Sequence, residues 1–182
     1  MVKIINTPLT DEVINELKVG DRVLLNGITY TGRDAAHKRL VEMIKNNEEL
    51  PFELKGQAIY YVGPCPAKPG QVIGSAGPTT SGRMDDYSDI LLDNGLKGMI
   101  GKGERSKNII DSIIKNNAIY FAAIGGAGAL LAEAIKEAEV IAFHELGPEA
   151  IYKLRVENFP VTVVIDSKGN DLYKIGREKY KK

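Results

Sequence analysis

The sequence predicts a layered α/β fold built as one domain over residues 1–182. From residue 71 onward, short apolar segments alternate with segments of helical period, an order typical of strands and helices packed in layers. The 182 residues are 43% hydrophobic and 26% charged, a composition typical of a globular protein with a sizeable core. Only the last segment, about 177–182, has the composition of a solvated charged tail.

The first part of the chain is expected to alternate helices with β-prone segments. The expected elements are a helix over 10–17, a strand over 21–31, a helix over 34–45 and a strand over 57–62. Thr10 is a suitable N-cap for the first helix, and Gly20 ends it. Asn26-Gly27 is either a hairpin turn or a bulge within one longer strand.

The rest of the chain supplies the alternating elements. The apolar runs predict strands over 71–75, 97–100, 118–123 and 139–143, and the intervening periods predict helices over 83–93, 105–115 and 127–136. Gly95 stands where a glycine commonly follows a helix. The chain then closes in a predicted hairpin, with strands over 161–165 and 172–175 around the turn Ser167-Lys168-Gly169-Asn170.

The charge balance and hydropathy exclude several classes of function. The chain has 24 basic and 24 acidic residues and a pI near 6.8, so it lacks the positive field of proteins that bind nucleic acid or anionic lipid. No apolar run reaches the roughly 18 to 20 residues that a membrane span needs, and charges interrupt the N-terminal segment where a signal peptide is apolar. We expect a cytoplasmic protein with no nucleic-acid or membrane partner.

Cysteine and histidine are too scarce for a self-contained metal site. Cys65 is the only cysteine, and His37 and His144 are the only histidines, so the chain alone completes no disulfide, structural zinc site or iron–sulfur ligand set. Any such metal must be held mostly by another chain. Cys65 lies on a proline-rich turn, where an incidental thiol is a simpler interpretation than a nucleophile. His144 is expected to make a structural hydrogen bond, with proton transfer as the alternative.

A loop rich in glycine and hydroxyl groups precedes the helix predicted over 83–93. Such a loop presents backbone N–H groups at a helix N-terminus, where the helix dipole favours anions, and Arg83 adds a forked donor suited to a carboxylate. An ordinary helix start with Thr80 or Ser81 as N-cap explains the pattern equally well. The loop has the sequence Gly77-Pro78-Thr79-Thr80-Ser81-Gly82-Arg83-Met84-Asp85.

Two further junctions each place one cation just before a helix. Arg33 precedes the helix predicted over 34–45, and Lys102 precedes the helix predicted over 105–115. If the three junctions lie at one edge of the fold, Arg33, Arg83 and Lys102 converge on one small polyanion, and a dicarboxylate fits them better than a nucleotide. The alternative for any single cation is a solvated surface position.

Neither nucleotide-binding fingerprint is complete in this chain. Gly125-Gly126-Ala127-Gly128 follows a strand and opens a helix, but it lacks the third glycine of the dinucleotide motif, so we expect close packing or an anion there. The Lys102 loop does not match a P-loop. His37, four residues after Arg33, could support the anion site, although an exposed helix histidine is the simpler interpretation.

At these loops the sequence resembles the β subunit, or C-terminal domain, of class I iron–sulfur fumarate hydratases and the related L-tartrate dehydratases. The resemblance extends from about residue 10 to 176 in order and spacing. The matching stretches are Tyr30-Thr31-Gly32-Arg33-Asp34-Ala35-Ala36-His37-Lys38, Tyr61-Val62-Gly63-Pro64-Cys65-Pro66, the loop from Gly77 to Asp85, Gly101-Lys102-Gly103 and Ala123-Ile124-Gly125-Gly126-Ala127.

The resemblance implies a hydro-lyase that interconverts fumarate and L-malate. It implies a swivelling β/β/α domain, inactive alone, in a hetero-oligomer with an α subunit. That subunit carries a [4Fe–4S] cluster with one iron not held by cysteine, and this chain holds no metal. The cluster cysteines belong to the α subunit in this family, which agrees with the single cysteine here. The substrate site would lie between the two subunits.

Carried onto this chain, the resemblance assigns roles to individual residues. Arg33, Arg83 and Lys102 are similar to the family's substrate-binding cations, and Thr79 is similar to the hydroxyl that takes the proton from malate C3. Supporting roles are assigned to the neighbouring residues Thr80, His37 and Asp85. Two alternatives stay open: an L-tartrate dehydratase β subunit, and a non-catalytic anion-binding subunit.

Overall fold

The computed structural model describes residues 1–124 and 127–180 and confirms the layered α/β fold. One mixed sheet contains the strands β1 (Val2–Asn6), β2 (Arg22–Thr31), β3 (Ala58–Tyr60), β4 (Gly98–Gly101), β5 (Ile119–Ala122), β6 (Ile135–Ala142) and β7 (Ile151–Ile165). The helices of this described chain are α1 (Asp11–Glu16), α2 (Asp34–Lys45), α3 (Asp85–Asp93), α4 (Lys107–Lys115), α5 (Gly128–Glu133) and α6 (Leu172–Tyr180). None of them is long and apolar enough to cross a membrane.

Strand β7 joins the two ends of a parallel sheet. Strands β1 to β5 pair in parallel with their neighbours, and β7 pairs antiparallel with β5 on one side and with β2 on the other. Pairings among β2, β3, β4, β5 and β7 therefore form a closed ring. Strand β6 extends the sheet from β7, and β1 extends it from β2.

The alternation of side chains along these strands divides the core in two. Ala58, Tyr60 and Phe121 point into the ring, where they meet apolar residues of β7 such as Phe159. Ile59 and Tyr120 point to the opposite face. That face is covered by α2, α3 and α4, while α1 and α5 contribute to the inner cluster. The domain thus has two layers of strands around the inner cluster and a third layer of helices on the opposite face.

Several predicted elements are confirmed. Helix α2 occupies 34–45 as expected, and α1 begins after Thr10, whose hydroxyl accepts the N–H of Val13 at 3.3 Å. Strand β2 is continuous, and its register with β7 shifts between Leu25 and Gly27, so the bulge is correct and the hairpin is not. Gly95 follows α3 with φ of +106°, a conformation that favours glycine.

The predicted strand over 71–75 is wrong. The N–H of Cys65 donates to the Ser75 carbonyl at 2.9 Å, and the N–H of Gly74 donates to the Cys65 carbonyl at 3.1 Å. Pro64 and Pro66 have no N–H with which to continue this pairing. The segment therefore folds back onto the Cys65 turn instead of joining the sheet.

The predicted C-terminal hairpin is wrong beyond its turn. Gly169 turns the chain with φ of +82°, and the Asp166 side chain accepts two N–H groups of the turn. The following residues form α6, at whose start Asp171 accepts the Tyr173 N–H at 2.9 Å. This side-chain cap favours a helix over a returning strand. The tail predicted over 177–182 is helical up to Tyr180.

Other boundaries differ because tertiary pairing overrides local pattern. Strand β1 was not predicted, and β7 begins at Ile151, ten residues before the expected strand over 161–165. The helix expected over 127–136 ends at Glu133, since the chain from Ile135 pairs with β7 as β6. The strand expected over 139–143 lies within β6 except for its last residue. Charged residues hide the first half of β6 and the first part of β7 from a hydropathy pattern.

Truncation of a buried leucine tests the outer core. Leu91 of α3 is fully buried, whereas Leu130 of α5 is 56% exposed. We expect Leu91→Ala to lower the free energy of unfolding by about 2–5 kcal/mol, because it removes buried methyl groups and leaves a cavity. Leu130→Ala is the matched control and should change it by less than about 1 kcal/mol. Equal losses in urea titrations would contradict this packing.

Candidate active site

Three loops meet where β2, β3 and β4 end, at the carboxyl edge of the parallel sheet. The N–H of Gly32 donates to the Tyr60 carbonyl at 3.1 Å, and the N–H of Thr79 donates to the Tyr61 carbonyl at 2.6 Å. The N–H of Ser81 donates to the Lys102 carbonyl at 2.8 Å. These bonds connect the loops that carry Arg33, Arg83 and Lys102, so the expected common edge is confirmed.

Arg83 forms a forked ion pair with Asp34. Its Nη2 lies 2.9 Å from Asp34 Oδ2, and its Nε lies 3.2 Å from Asp34 Oδ1. The Arg83 side chain remains 55% exposed. Because Asp34 directly follows Arg33, this ion pair joins the loop after β2 to the loop that precedes α3. It also shows that Arg83 is placed for bidentate recognition of a carboxylate.

Arg33 is more enclosed than Arg83. Its Nε lies 3.7 Å from Glu149 Oε1 and has no hydrogen-bond partner within 1–124 and 127–180. A Cβ on Gly63 would lie 3.0 Å from Arg33 Nη1 and 3.1 Å from its Cδ, so glycine at that position makes room for the side chain. A buried donor without a partner is costly, which makes Arg33 a candidate for binding an anion.

Lys102 is exposed on the loop that follows β4. No carboxylate of the described chain lies within 4 Å of its ammonium group. A Cβ on the preceding Gly101 would lie 1.9 Å from Ser81 Oγ and 2.9 Å from Tyr61 Cδ2. Only glycine lets the lysine loop pack this closely against residues 79–81.

The two threonines lie on the loop that precedes Arg83, next to the Lys102 loop. Thr79 is half-buried with its backbone fixed to Tyr61, and Thr80 is exposed and forms a parallel bridge with Lys102. Thr80 makes no side-chain cap for the 3₁₀ segment Ser81–Met84 that follows. The alternative of an ordinary N-cap at Thr80 is therefore wrong. The proton-transfer role of Thr79 stays a prediction.

His37 is fully buried, so the expectation of an exposed helix histidine is wrong. Its Nδ1 lies 2.8 Å from the Arg33 carbonyl, and its ring meets the Tyr61 ring edge-on at 5.2 Å between centroids. Burial lowers the pKa of His37 to about 4. The ring is neutral at pH 7 and contributes no charge to the site. It holds the backbone of Arg33 instead.

Asp85 is directed to a buried arginine that the sequence did not single out. Its Oδ1 accepts from Arg105 Nε at 2.6 Å, and its Oδ2 accepts the Ser106 N–H at 2.7 Å. The Arg105 side chain is completely buried. In the sequence Arg105 lies in a polar run before a helix, like a solvated cation, and no local signal marks its burial.

Cys65 and His144 form no hydrogen bond or ion pair with the three cations within the described residues. Cys65 is exposed and lines an open cavity of about 720 Å³ between its turn and α5. His144 is exposed at the start of the 3₁₀ segment His144–Glu149. Gly125 and Gly126 lie outside the described residues. A Cβ on Gly128 would lie 2.4 Å from Ser75 Oγ, so close packing explains that glycine.

The chain is similar to proteins of two related kinds. The family model described as Fumarase C-terminus matches residues 1–176. The chain is 44% identical over 162 residues to fumarate hydratase 2 of Leishmania major, covering 88% of this chain and 28% of that protein. It is 42% identical over 173 residues to the anaerobic class I fumarate hydratase of Escherichia coli K12, covering 93% and 32%.

A third relative has a length similar to that of this chain. The "Putative L(+)-tartrate dehydratase subunit beta" of Methanocaldococcus jannaschii is 43% identical over 182 residues, which cover 96% of this chain and 93% of that protein. By contrast, the chain spans about a third or less of the two fumarate hydratases.

The fold and the site together define an α/β domain with a cation-bearing edge at the ends of its parallel strands. The sequence comparisons identify the protein family. The chain belongs to the Fumarase C-terminus family, whose relatives are named as hydro-lyases.

The buried His37 predicts an acid-sensitive fold. In the unfolded chain the pKa of His37 returns to about 6.5. Between about pH 6.5 and 4 the unfolded state therefore binds a proton at His37 and the folded state does not. Stability should fall as pH drops from about 6.5 toward 4, by about 2–3 kcal/mol from this residue. In urea titrations from pH 7 to 4.5, the free energy of unfolding of His37→Gln should fall less, because this variant lacks the contribution of His37. His144→Gln, at an exposed position, should keep it; identical slopes in all three proteins would contradict the assignment.

Proposed function

We propose that this chain is the β subunit of a class I fumarate hydratase, which interconverts fumarate and L-malate at a site shared with a second subunit. The observation that carries the proposal is the joining of three cation-bearing loops at one sheet edge. Backbone hydrogen bonds join these loops to one another. Together the loops carry two guanidinium groups and one ammonium group. The family match supports the reaction class.

The cations suit a substrate with two carboxylates. Arg83 already holds a carboxylate in its fork, and Arg33 has a buried donor without a partner in the described chain. We propose that each arginine binds one substrate carboxylate, with Asp34 and Glu149 giving way as the substrate enters. Lys102 adds a point charge without a fixed orientation.

Thr79 is the proposed proton acceptor. Dehydration of malate removes a proton from C3 and hydroxide from C2, which leaves the double bond of fumarate. A threonine hydroxyl is a very weak acid, so it acts as a base only where cations stabilise its alkoxide. Arg83 and Lys102 lie on the loops directly joined to Thr79 and supply that charge.

The [4Fe–4S] cluster is proposed to belong to the α subunit. Cys65 is the single cysteine, and the 1–124 and 127–180 segments contain no group of three or more side chains able to hold a metal ion. This chain's residues therefore do not fit a cluster, and the proposed steps assigned to them do not depend on one. When bound by the partner, the cluster would supply a Lewis acid for the C2 hydroxyl. The two larger fumarate hydratases have more than twice as much chain outside the matched segment, and we propose that the α subunit corresponds to part of it.

An L-tartrate dehydratase β subunit is the second candidate. It is favoured by the relative of matching length, which is named for that enzyme. The two substrates are C4 dicarboxylates that differ by one hydroxyl, so the same cations bind both. A polar contact to the additional hydroxyl would discriminate between them.

Anaerobic co-purification from the native host tests both candidates. The tagged chain should bring down an iron- and sulfide-containing partner, and the complex should form fumarate from L-malate while the isolated chain does not. Dehydration of L-tartrate but not of malate would keep the subunit assignment and replace the substrate. A chain that purifies without partner or iron would favour the non-catalytic anion-binding alternative.

Thr79→Ala removes the proposed base. In the assembled complex we expect kcat to fall by about 10²–10⁴, the usual contribution of a general base, with a smaller change in KM. Thr79→Ser keeps the hydroxyl and should retain most of the activity. Near-wild-type turnover of Thr79→Ala would eliminate the proton-transfer role.

Arg83→Lys tests bidentate recognition. A lysine keeps the charge but cannot form two parallel hydrogen bonds to one carboxylate, so kcat/KM should fall by at least about tenfold. Arg155→Lys is the matched control, because Arg155 lies on β7 and pairs only with exposed glutamates. If Arg83→Lys and the control behave alike, the fork does not bind substrate.

A further inference from the structure

A buried cation lies behind the proposed site. The Arg105 guanidinium donates to Asp85 and Ser88 on α3, at 2.6 and 2.9 Å, and to the Met99 sulfur on β4 at 3.3 Å. Its carbon lies 5.4 Å from the Tyr61 ring centre and 5.0 Å from the Tyr120 ring centre. Arg105 thus contacts two strands, one helix and the loop after β3.

The two tyrosines connect Arg105 to the site loops. Tyr61 accepts the Thr79 N–H at its carbonyl, and its hydroxyl lies 3.2 Å from Ser88 Oγ. The Tyr120 hydroxyl lies 2.8 Å from both Ser81 Oγ and the Gly103 carbonyl. Burial raises the pKa of Tyr120, so its hydroxyl stays protonated and keeps both bonds.

These contacts set the separation of Thr79 and Lys102. Ser81 lies on the loop that carries Thr79, and Gly103 lies on the loop that carries Lys102. The Tyr120 hydroxyl contacts both residues. Gly101 packs directly against Ser81, where a Cβ on Gly101 would lie 1.9 Å from Ser81 Oγ. Helix α6 fixes the far side of the lysine loop, because the Tyr173 hydroxyl accepts the Gly103 N–H at 3.1 Å.

We infer that Arg105 and Tyr120 are positioning residues that hold Thr79 and Lys102 in register for the reaction. This inference rests on the proposed function for its kinetic consequence. Arg105 touches neither loop's exposed cation and acts through the faces of Tyr61 and Tyr120 and through Asp85. The inference adds two residues for which the sequence predicted no role: Arg105 begins the helix predicted over 105–115, and Tyr120 lies in the strand predicted over 118–123.

Amide hydrogen exchange of the full chain, read by NMR, tests the positioning directly. Tyr120→Phe removes one oxygen and keeps the ring, and Arg105→Lys keeps the charge but loses the fork. In both variants the amides of Thr79 and Ser81 should exchange at least tenfold faster. The Thr7 amide, which donates to the Asn26 carbonyl at 2.9 Å outside this network, should keep its wild-type rate. Tyr152→Phe and Arg155→Lys are the matched controls and should change none of these rates.

The kinetic arm uses the assembled complex. We expect kcat/KM for the C4 substrate to fall at least tenfold in Tyr120→Phe, per folded complex, with the controls unchanged. A merely structural role would reduce the folded fraction and speed exchange at Thr7 as well, and this outcome would overturn the inference. So would unchanged exchange at Thr79 and Ser81. If Arg105→Lys does not fold, Tyr120→Phe decides alone.

The exchange arm separates this inference from the proposed function. If the wild-type complex dehydrates no C4 hydroxyacid, the proposed function is wrong, yet selective exchange at Thr79 and Ser81 would still establish the positioning. If the wild-type complex is active and Tyr120→Phe matches it in both rates and exchange, only the positioning is wrong.

Discussion

Closure of the sheet by β7 is the constraint on which the rest of the fold depends. This strand is fifteen residues long and forms ladders with β2, β5 and β6. A four-stranded parallel segment with free edges could twist and slip in register. With β7 bound to both β2 and β5, the strand ends that carry the site loops are fixed relative to one another. Helices α2 to α4 then pack on a surface whose shape is already set.

The local signals in the sequence were sufficient for elements whose stability is local. Helix α2 has an apolar face of helical period and an acidic residue at its start, and its predicted bounds are those observed. Strand β1 and the first ten residues of β7 could not be predicted in the same way. Their charged and exposed positions are tolerated because neighbouring strands pair with them, which is a property of the tertiary fold. The C-terminal segment followed its helix cap at Asp171 and not the hairpin-like composition around it.

The candidate site was predictable in its loops and not in their surroundings. Glycine, threonine and a single cation at three strand–helix junctions indicated Arg33, Arg83 and Lys102, and the structure brings those junctions together. Asp34 and Glu149 as partners of the arginines depend on packing between distant segments. The burial of His37 and Arg105 is equally invisible, because a polar residue near a helix start reads as solvent-exposed until its neighbours are known.

The internal carboxylates beside Arg33 and Arg83 have a consequence for which anions this edge can select. A monocarboxylate that reaches either arginine exchanges one ion pair for another, so its electrostatic gain is small. A rigid dianion that displaces Asp34 and then Glu149 makes its second exchange intramolecular, at an effective concentration far above that of free ligand in solution. The resident carboxylates thus act as competitors that a bivalent ligand overcomes and a monovalent one does not. On the proposed function, selectivity for two charges over one arises from this second exchange, for ligands whose two carboxylates span the distance between the two arginines.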